Sequence, residues 1–167
     1  MSADDQIFAA RRRAQGYALV VAFVFLIIGV LGFVPGLTSN YSTILRAGTD
    51  SHAYLLGFFQ VSLVHNAVHL AFGVAGVFAA RRLLWSRAYL AGGGSLYLGL
   101  AVYGMLIDHH SAANILPVNN ADNWLHVTLG VVMLLLAVDP RGGQRPLLPG
   151  KRPPRSRWHR VRRPREP

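Results

Sequence analysis

Hydrophobic side chains make up 52% of the 167 residues, while Asp, Glu, Lys and Arg together make up only 14%. Soluble domains average roughly 25% charged, so a chain of this composition cannot cover its apolar surface in water, and membrane spans are expected. There are no cysteines, which excludes disulfides, zinc–thiolate sites and iron–sulfur clusters.

Residues 1–13 form a short polar N-terminal segment ending in Arg11-Arg12-Arg13. Ala14 to Phe33 carries no charge over twenty residues, about the length needed to cross a bilayer. A signal peptide would have a shorter apolar core and a small-residue cleavage site, whereas Val34-Pro35-Gly36 follows here, so 14–33 reads as a first span. Residues 34–53, with Pro35, Gly36 and Gly48, read as a loop. The second span, 54–80, is longer than a bilayer requires, which implies tilt or an overhanging outer end. The third, 88–107, contains Gly92-Gly93-Gly94, small residues that let neighbouring backbones approach closely inside a membrane. A shorter loop with His109-His110 and Pro117 leads to the fourth span, 120–138, which Asp139-Pro140 stops.

The tail, 141–167, is dense in Pro and Arg without apolar periodicity and is expected to be disordered. Ten of the 17 basic residues lie in it, and they account for much of the net charge of +10. In a soluble protein that charge would point to nucleic acid. Beside a membrane, an Arg cluster more simply meets anionic lipid headgroups, at about 1 kcal/mol per residue, so nucleic acid is set aside. The N-terminal segment carries 3 basic residues, the 81–87 connection 3, and the two remaining loops only Arg46 between them. The positive-inside rule then predicts a multi-pass cell-membrane protein, all-α, with four transmembrane helices and both termini in the cytoplasm.

The second span carries unusual polarity. Ser62, Asn66, His69, Gly73, Gly76 and Ala80 fall at alternating spacings of four and three, so they form one stripe of a helix. The same stripe recurs 57 positions later as Asn119, Asn123, His126, Gly130, Met133 and Ala137. Spans two and four run in the same direction, so the chain reads as two parallel helical-hairpin repeats. His69 and His126 each lie eleven residues from the inner end of the stripe, about 16 Å in and near mid-bilayer. Beside the two asparagines stand His65 and Asp122, where the copies differ.

Two functions follow from this stripe, with a third beside them. Asn and His side chains can hydrogen-bond across helices, at about 0.6 kcal/mol each on average, with Gly73 and Gly130 giving close approach; the protein is then a structural or interaction protein. Alternatively the imidazoles are ligands. His65 and His69 point the same way, as a metal site needs, and His69 with His126 at equal depth could clamp a b-type haem. A proton path through His65, His69, His126 and Asp122 is the third. No nucleophile stands with a base and an orienting group, so hydrolytic chemistry has little support. A stripe of small residues on span one, Ala18, Ala22, Gly29 and Gly32, would allow a homo-oligomer or pack within the monomer. Trp85, Tyr89, Tyr54 and Trp124 suit interfacial belts.

Leu55-Leu56-Gly57-Phe58-Phe59-Gln60-Val61 leading into His65-Asn66-Ala67-Val68-His69-Leu70, and Ile115-Leu116-Pro117-Val118-Asn119 leading into Ala121-Asp122-Asn123-Trp124-Leu125-His126, resemble a bacterial, mostly actinobacterial, four-helix membrane family, domain of unknown function 4383. The resemblance covers about residues 14–138. It implies an integral membrane protein of no established activity and assigns no ligand. The chain has Gln60 and Ser62-Leu63 where the family pattern often has an acidic residue and Asn-Pro.

Overall fold

The computed structural model describes residues 3–139, with side chains from residue 13 onward; the 141–167 tail and its expected lipid contacts lie outside the described residues. Four α-helices make up most of the described residues: α1 (Ala3–Leu31), α2 (Leu63–Ala79), α3 (Leu83–Leu106) and α4 (Asn120–Ala137). Helix α1 continues back through the polar segment expected to precede it, whose Ala, Arg and Gln are good helix formers. Among the described residues, only Arg13–Leu31 and Leu83–Leu106 are long and apolar enough, by length and composition, to cross a membrane. Helix α2 is apolar but has 17 residues, and the first turns of α4 hold Asn120, Asp122, Asn123 and His126.

The second helix is shorter than the sequence predicts because residues 53–61 are not helical. They form a hairpin, β2 (Ala53–Leu55) and β3 (Phe59–Val61), and β1 (Thr38–Ser39) pairs antiparallel with β2, giving the order β1-β2-β3. Leu56 and Gly57 both take positive φ at the hairpin turn, a conformation glycine adopts freely and leucine does not. Ala53, Leu55 and Val61 are buried under Ile28, Leu31, Ile44 and Phe59, so the overhang expected of span two is a small sheet capping one end of the bundle. Ser62 then starts α2 in extended geometry, its Oγ accepting from the His65 N–H at 3.1 Å, as N-cap serines do. The third helix starts at Leu83, so Arg87 lies inside it. At the far end, the Tyr17 hydroxyl donates to the Asp139 carboxylate at 3.0 Å and ties α1 to the end of α4.

Helix α1 packs chiefly on α2, and α3 on α4. Glycines set how near each pair lies. A Cβ on Gly73 would come within 2.9 Å of the Ala22 carbonyl, and one on Gly130 within 2.9 Å of the Gly94 carbonyl. Gly32 and Gly104 have no room for a Cβ beside the amides of Asn66 and Asn123 respectively. The small residues of span one therefore face α2 inside the chain: Ala18 and Ala22 are fully buried, and Gly29 lies against Leu70. Gly73→Val and Gly130→Val should each destabilise the protein by about 1–3 kcal/mol, the usual range for overpacking. Gly99, with nothing near its Cβ position, should accept alanine with no loss, or a gain of up to about 1 kcal/mol from helix propensity. Thermal unfolding of detergent-purified variants checks this; equal tolerance at all three glycines would contradict it.

Candidate functional site

The polar stripe is the buried face of its helices. On α2 the buried residues are His65, Asn66, His69, Gly73 and Gly76; on α4 they are Asp122, Asn123, His126, Gly130, Met133 and Ala137. The structure brings His65, His69 and His126 together, so that one ligand nitrogen from each lies within 4.8 Å of the other two. The His65 and His69 rings meet edge-on at 4.7 Å. Phe25 of α1 meets His69 edge-on at 5.7 Å, and Tyr97 of α3 meets His126 in the same way at 5.2 Å. Phe25 and Tyr97 touch each other at 5.0 Å between centroids, and this pair of rings packs against the two facing imidazoles.

The difference between the two copies has a local cause. The His65 ring nitrogen Nδ1 lies 3.2 Å from the Pro117 carbonyl, in the connection before α4. Asp122 makes the reciprocal contact, accepting the Gln60 N–H from β3 at 3.0 Å. Gln60 and Pro117 stand 57 positions apart, as do His65 and Asp122. Proline has no N–H to offer, so the helix facing it needs a donor, and histidine supplies one. Glutamine offers its N–H, so the helix facing it needs an acceptor, and aspartate supplies one. Asp122 Oδ2 also accepts the Asn119 N–H at 2.9 Å while the Asn119 side chain accepts from Asp122, a capping box. Asn114 holds the Pro117 connection in place through bonds to the Val118 N–H and C=O, both at 3.1 Å.

His65 thereby has a defined tautomer. A carbonyl accepts only, so Nδ1 carries the proton and Nε2 keeps its lone pair, the arrangement by which metal-binding histidines are commonly oriented. The His69 and His126 side chains make no hydrogen bond among the described residues, and Nδ1 of each is buried without a hydrogen-bond partner. The amides of Asn66 and Asn123 likewise lack partners. Cavities flank the cluster on two sides. One, of about 290 Å³, is lined by the three histidines with Val68, Tyr97, Leu100 and Tyr103. The other, of about 230 Å³, is lined by the same three with Asp122, Leu125, Ile28 and Leu31.

Imidazole suits zinc, copper, nickel and iron, and three histidines with one open position are an established zinc arrangement. Nitrogens sharing an ion at about 2 Å lie about 3.4 Å apart in tetrahedral geometry, so ring rotations on the order of an ångström would gather them. A haem fits less well: His65 brings a third nitrogen within 4.8 Å of those of His69 and His126, crowding the space that a macrocycle held between those two would need. Asp122 lines the triad's second cavity, while Trp124 points away, 67% exposed. Phe25, Tyr97, Gln60 and Pro117 carry no polar stripe of their own, and only their offsets from the copied motif mark them.

Residues 15–138 match the family model described as Domain of unknown function (DUF4383). No curated protein and no solved structure matches the chain.

Asp122→Ala would leave the Gln60 and Asn119 N–H groups without their acceptor; losing a cap costs about 0.5–2 kcal/mol and stranding a buried donor about 1–3 kcal/mol. A loss of roughly 2–4 kcal/mol is expected, and Asp122→Asn, which keeps an acceptor oxygen, should lose less than half of it. Chemical unfolding in detergent reads both; equal losses would contradict the exchange of contacts described above.

Proposed function

The chain belongs to the DUF4383 family, and we propose that it is a four-span membrane protein whose buried His65, His69 and His126 bind one divalent transition-metal ion. The observation that carries the metal reading is the convergence of three buried ligand nitrogens within 4.8 Å at a place where two of the rings have no hydrogen-bond partner among the described residues. The competing role, hydrogen-bonded glue between helices, needs the three rings and the amides of Asn66 and Asn123 to bond across helices. Among the described residues none of these five side chains bonds to another helix: His65 bonds to the Pro117 carbonyl of a connection, and the others make no side-chain hydrogen bond. An ion would give His69 and His126 the partner that buried polar groups require.

Several features support four spans. Large apolar side chains are exposed on all four helices, among them Phe23, Phe78, Val102 and Leu135, as lipid-facing surfaces require. Helices α2 and α4, at 17 and 18 residues, are about 26 Å long, and a bilayer accommodates such short spans by local thinning. The arginine distribution puts both termini and the α2–α3 turn in the cytoplasm, with the tail of residues 141–167 on anionic headgroups. The two hairpins are copies: Ala22, Phe25, Leu26 and Gly32 correspond to Gly94, Tyr97, Leu98 and Gly104 at an offset of 72, and each set meets its own histidine helix in the same way. The small-residue face of α1 is used within the chain, so an oligomer would form through other surfaces.

Purified without chelator and desalted after loading with Zn²⁺, the wild-type protein should retain about one ion per chain, the capacity of a single three-histidine site. His69→Gln and His126→Gln should each remain folded and lose it. A wild type that retains none, or variants that retain it, would overturn the assignment. A reporter active only in the cytoplasm should work when fused after Asp139 and fail when inserted at Gly48; activity at Gly48 would refute the four-span topology.

A further inference from the structure

Six of the seven histidines fall in two groups. Three form the buried triad. The others, His52, His109 and His110, line a polar basin of about 430 Å³ at the sheet-capped end of the bundle. His109 Nε2 bonds to the Gly104 carbonyl at 2.7 Å, which leaves Nδ1 as its lone-pair nitrogen. His52 and His110 are exposed. Gln60 and Asn119 also line the basin, and the backbone N–H of each donates to Asp122 Oδ2. Asp122 Oδ1 makes no hydrogen bond among the described residues, and Asp122 lines the same cavity as the three buried imidazoles. Ligating groups thus run from the surface basin, past Gln60 and Asn119, to a carboxylate and on to the triad.

We infer that this basin is the site through which the ion is admitted, His52, His109 and His110 capturing a divalent transition metal from the outer side and Asp122 passing it to His65, His69 and His126. The inference rests on the metal reading above and gives that site a direction of loading. Imidazole selects the borderline ions, Zn²⁺, Co²⁺, Ni²⁺ and Cu²⁺, over Mg²⁺ and Ca²⁺, which prefer all-oxygen sites. Reversible capture by the basin imidazoles raises the ion concentration beside Gln60 and Asn119 and so the rate at which the triad fills; a gain of about tenfold is the low end of what local enrichment gives in charged clefts. Because the basin histidines are not the final ligands, they change how fast the triad fills and leave unchanged how tightly it holds.

The test uses the full chain in detergent with Co²⁺ as the probe, followed by its visible absorption. His52→Ala/His109→Ala/His110→Ala should load to the wild-type stoichiometry and affinity, but roughly tenfold or more slowly, with release to a chelator slowed by the same factor. His69→Gln/His126→Gln should keep only weak Co²⁺ binding, lost on desalting, and adding the three basin substitutions should remove it. Should the triple variant misfold, His52→Ala/His110→Ala, at two exposed positions, should still slow loading several-fold. Basin variants that load as fast as wild type, or a triad variant without weak binding, would overturn the admission route while leaving the metal centre standing. A wild type that takes up no Co²⁺ would overturn both.

Discussion

The bundle depends on two backbone groups that each half offers to the other: the Pro117 carbonyl to His65 and the Gln60 N–H to Asp122. Each lies five residues before the histidine or aspartate of its own copy. Each contact fixes the first turn of a short helix against the chain that enters the other helix. Buried backbone groups must be paired, so this exchange sets which side chain stands at positions 65 and 122. It also explains why one copy of the motif carries a base there and the other an acid. With the first turns set, the next turn of each helix brings His69 and His126 to the same level, opposite each other. Asn119 adds a third tie, its amide donating to the Phe58 carbonyl at 2.8 Å.

Close approach of the helices does the rest. Gly73 and Gly130 bring α2 and α4 onto the backbones of α1 and α3, and this in turn allows Phe25 and Tyr97 to reach the imidazoles. The outcome is an aromatic floor beside a polar cluster whose hydrogen bonding is incomplete among the described residues. Natural proteins seldom bury polar groups without partners, and where they do, a ligand or water usually supplies the missing bonds. The triad differs from the asparagines in this respect. Asn66 and Asn123 press against glycines and line neither of the two cavities that flank the cluster, whereas the histidines border both.

Much of this was legible in the residues alone. The four-and-three spacing of Ser62, Asn66, His69 and Gly73 marked the buried face, and its recurrence at Asn119 to Gly130 identified the partner helix. The sheet was not legible. Tyr54 to Val61 is apolar but for Gln60 and runs directly into a helix, so its leucine and aromatic residues look like more of the same span, and only Gly57 hints at a turn. Phe25 and Tyr97 escaped because the offset between α1 and α3 is 72, not 57; the first connection is longer, and it holds the sheet. The reciprocal contacts of Gln60 and Pro117 cross between halves, and no periodicity along a single helix reports them.

The proposed metal centre is tested most directly by X-ray absorption at the edge of a bound ion, on wild-type protein loaded with one equivalent of Zn²⁺. Three imidazole scatterers at about 2.0–2.1 Å, with one further light atom, are the expected shell for a three-histidine site with an open position. A shell of oxygen ligands alone, or one with no more than a single imidazole, would show that the triad does not hold the ion.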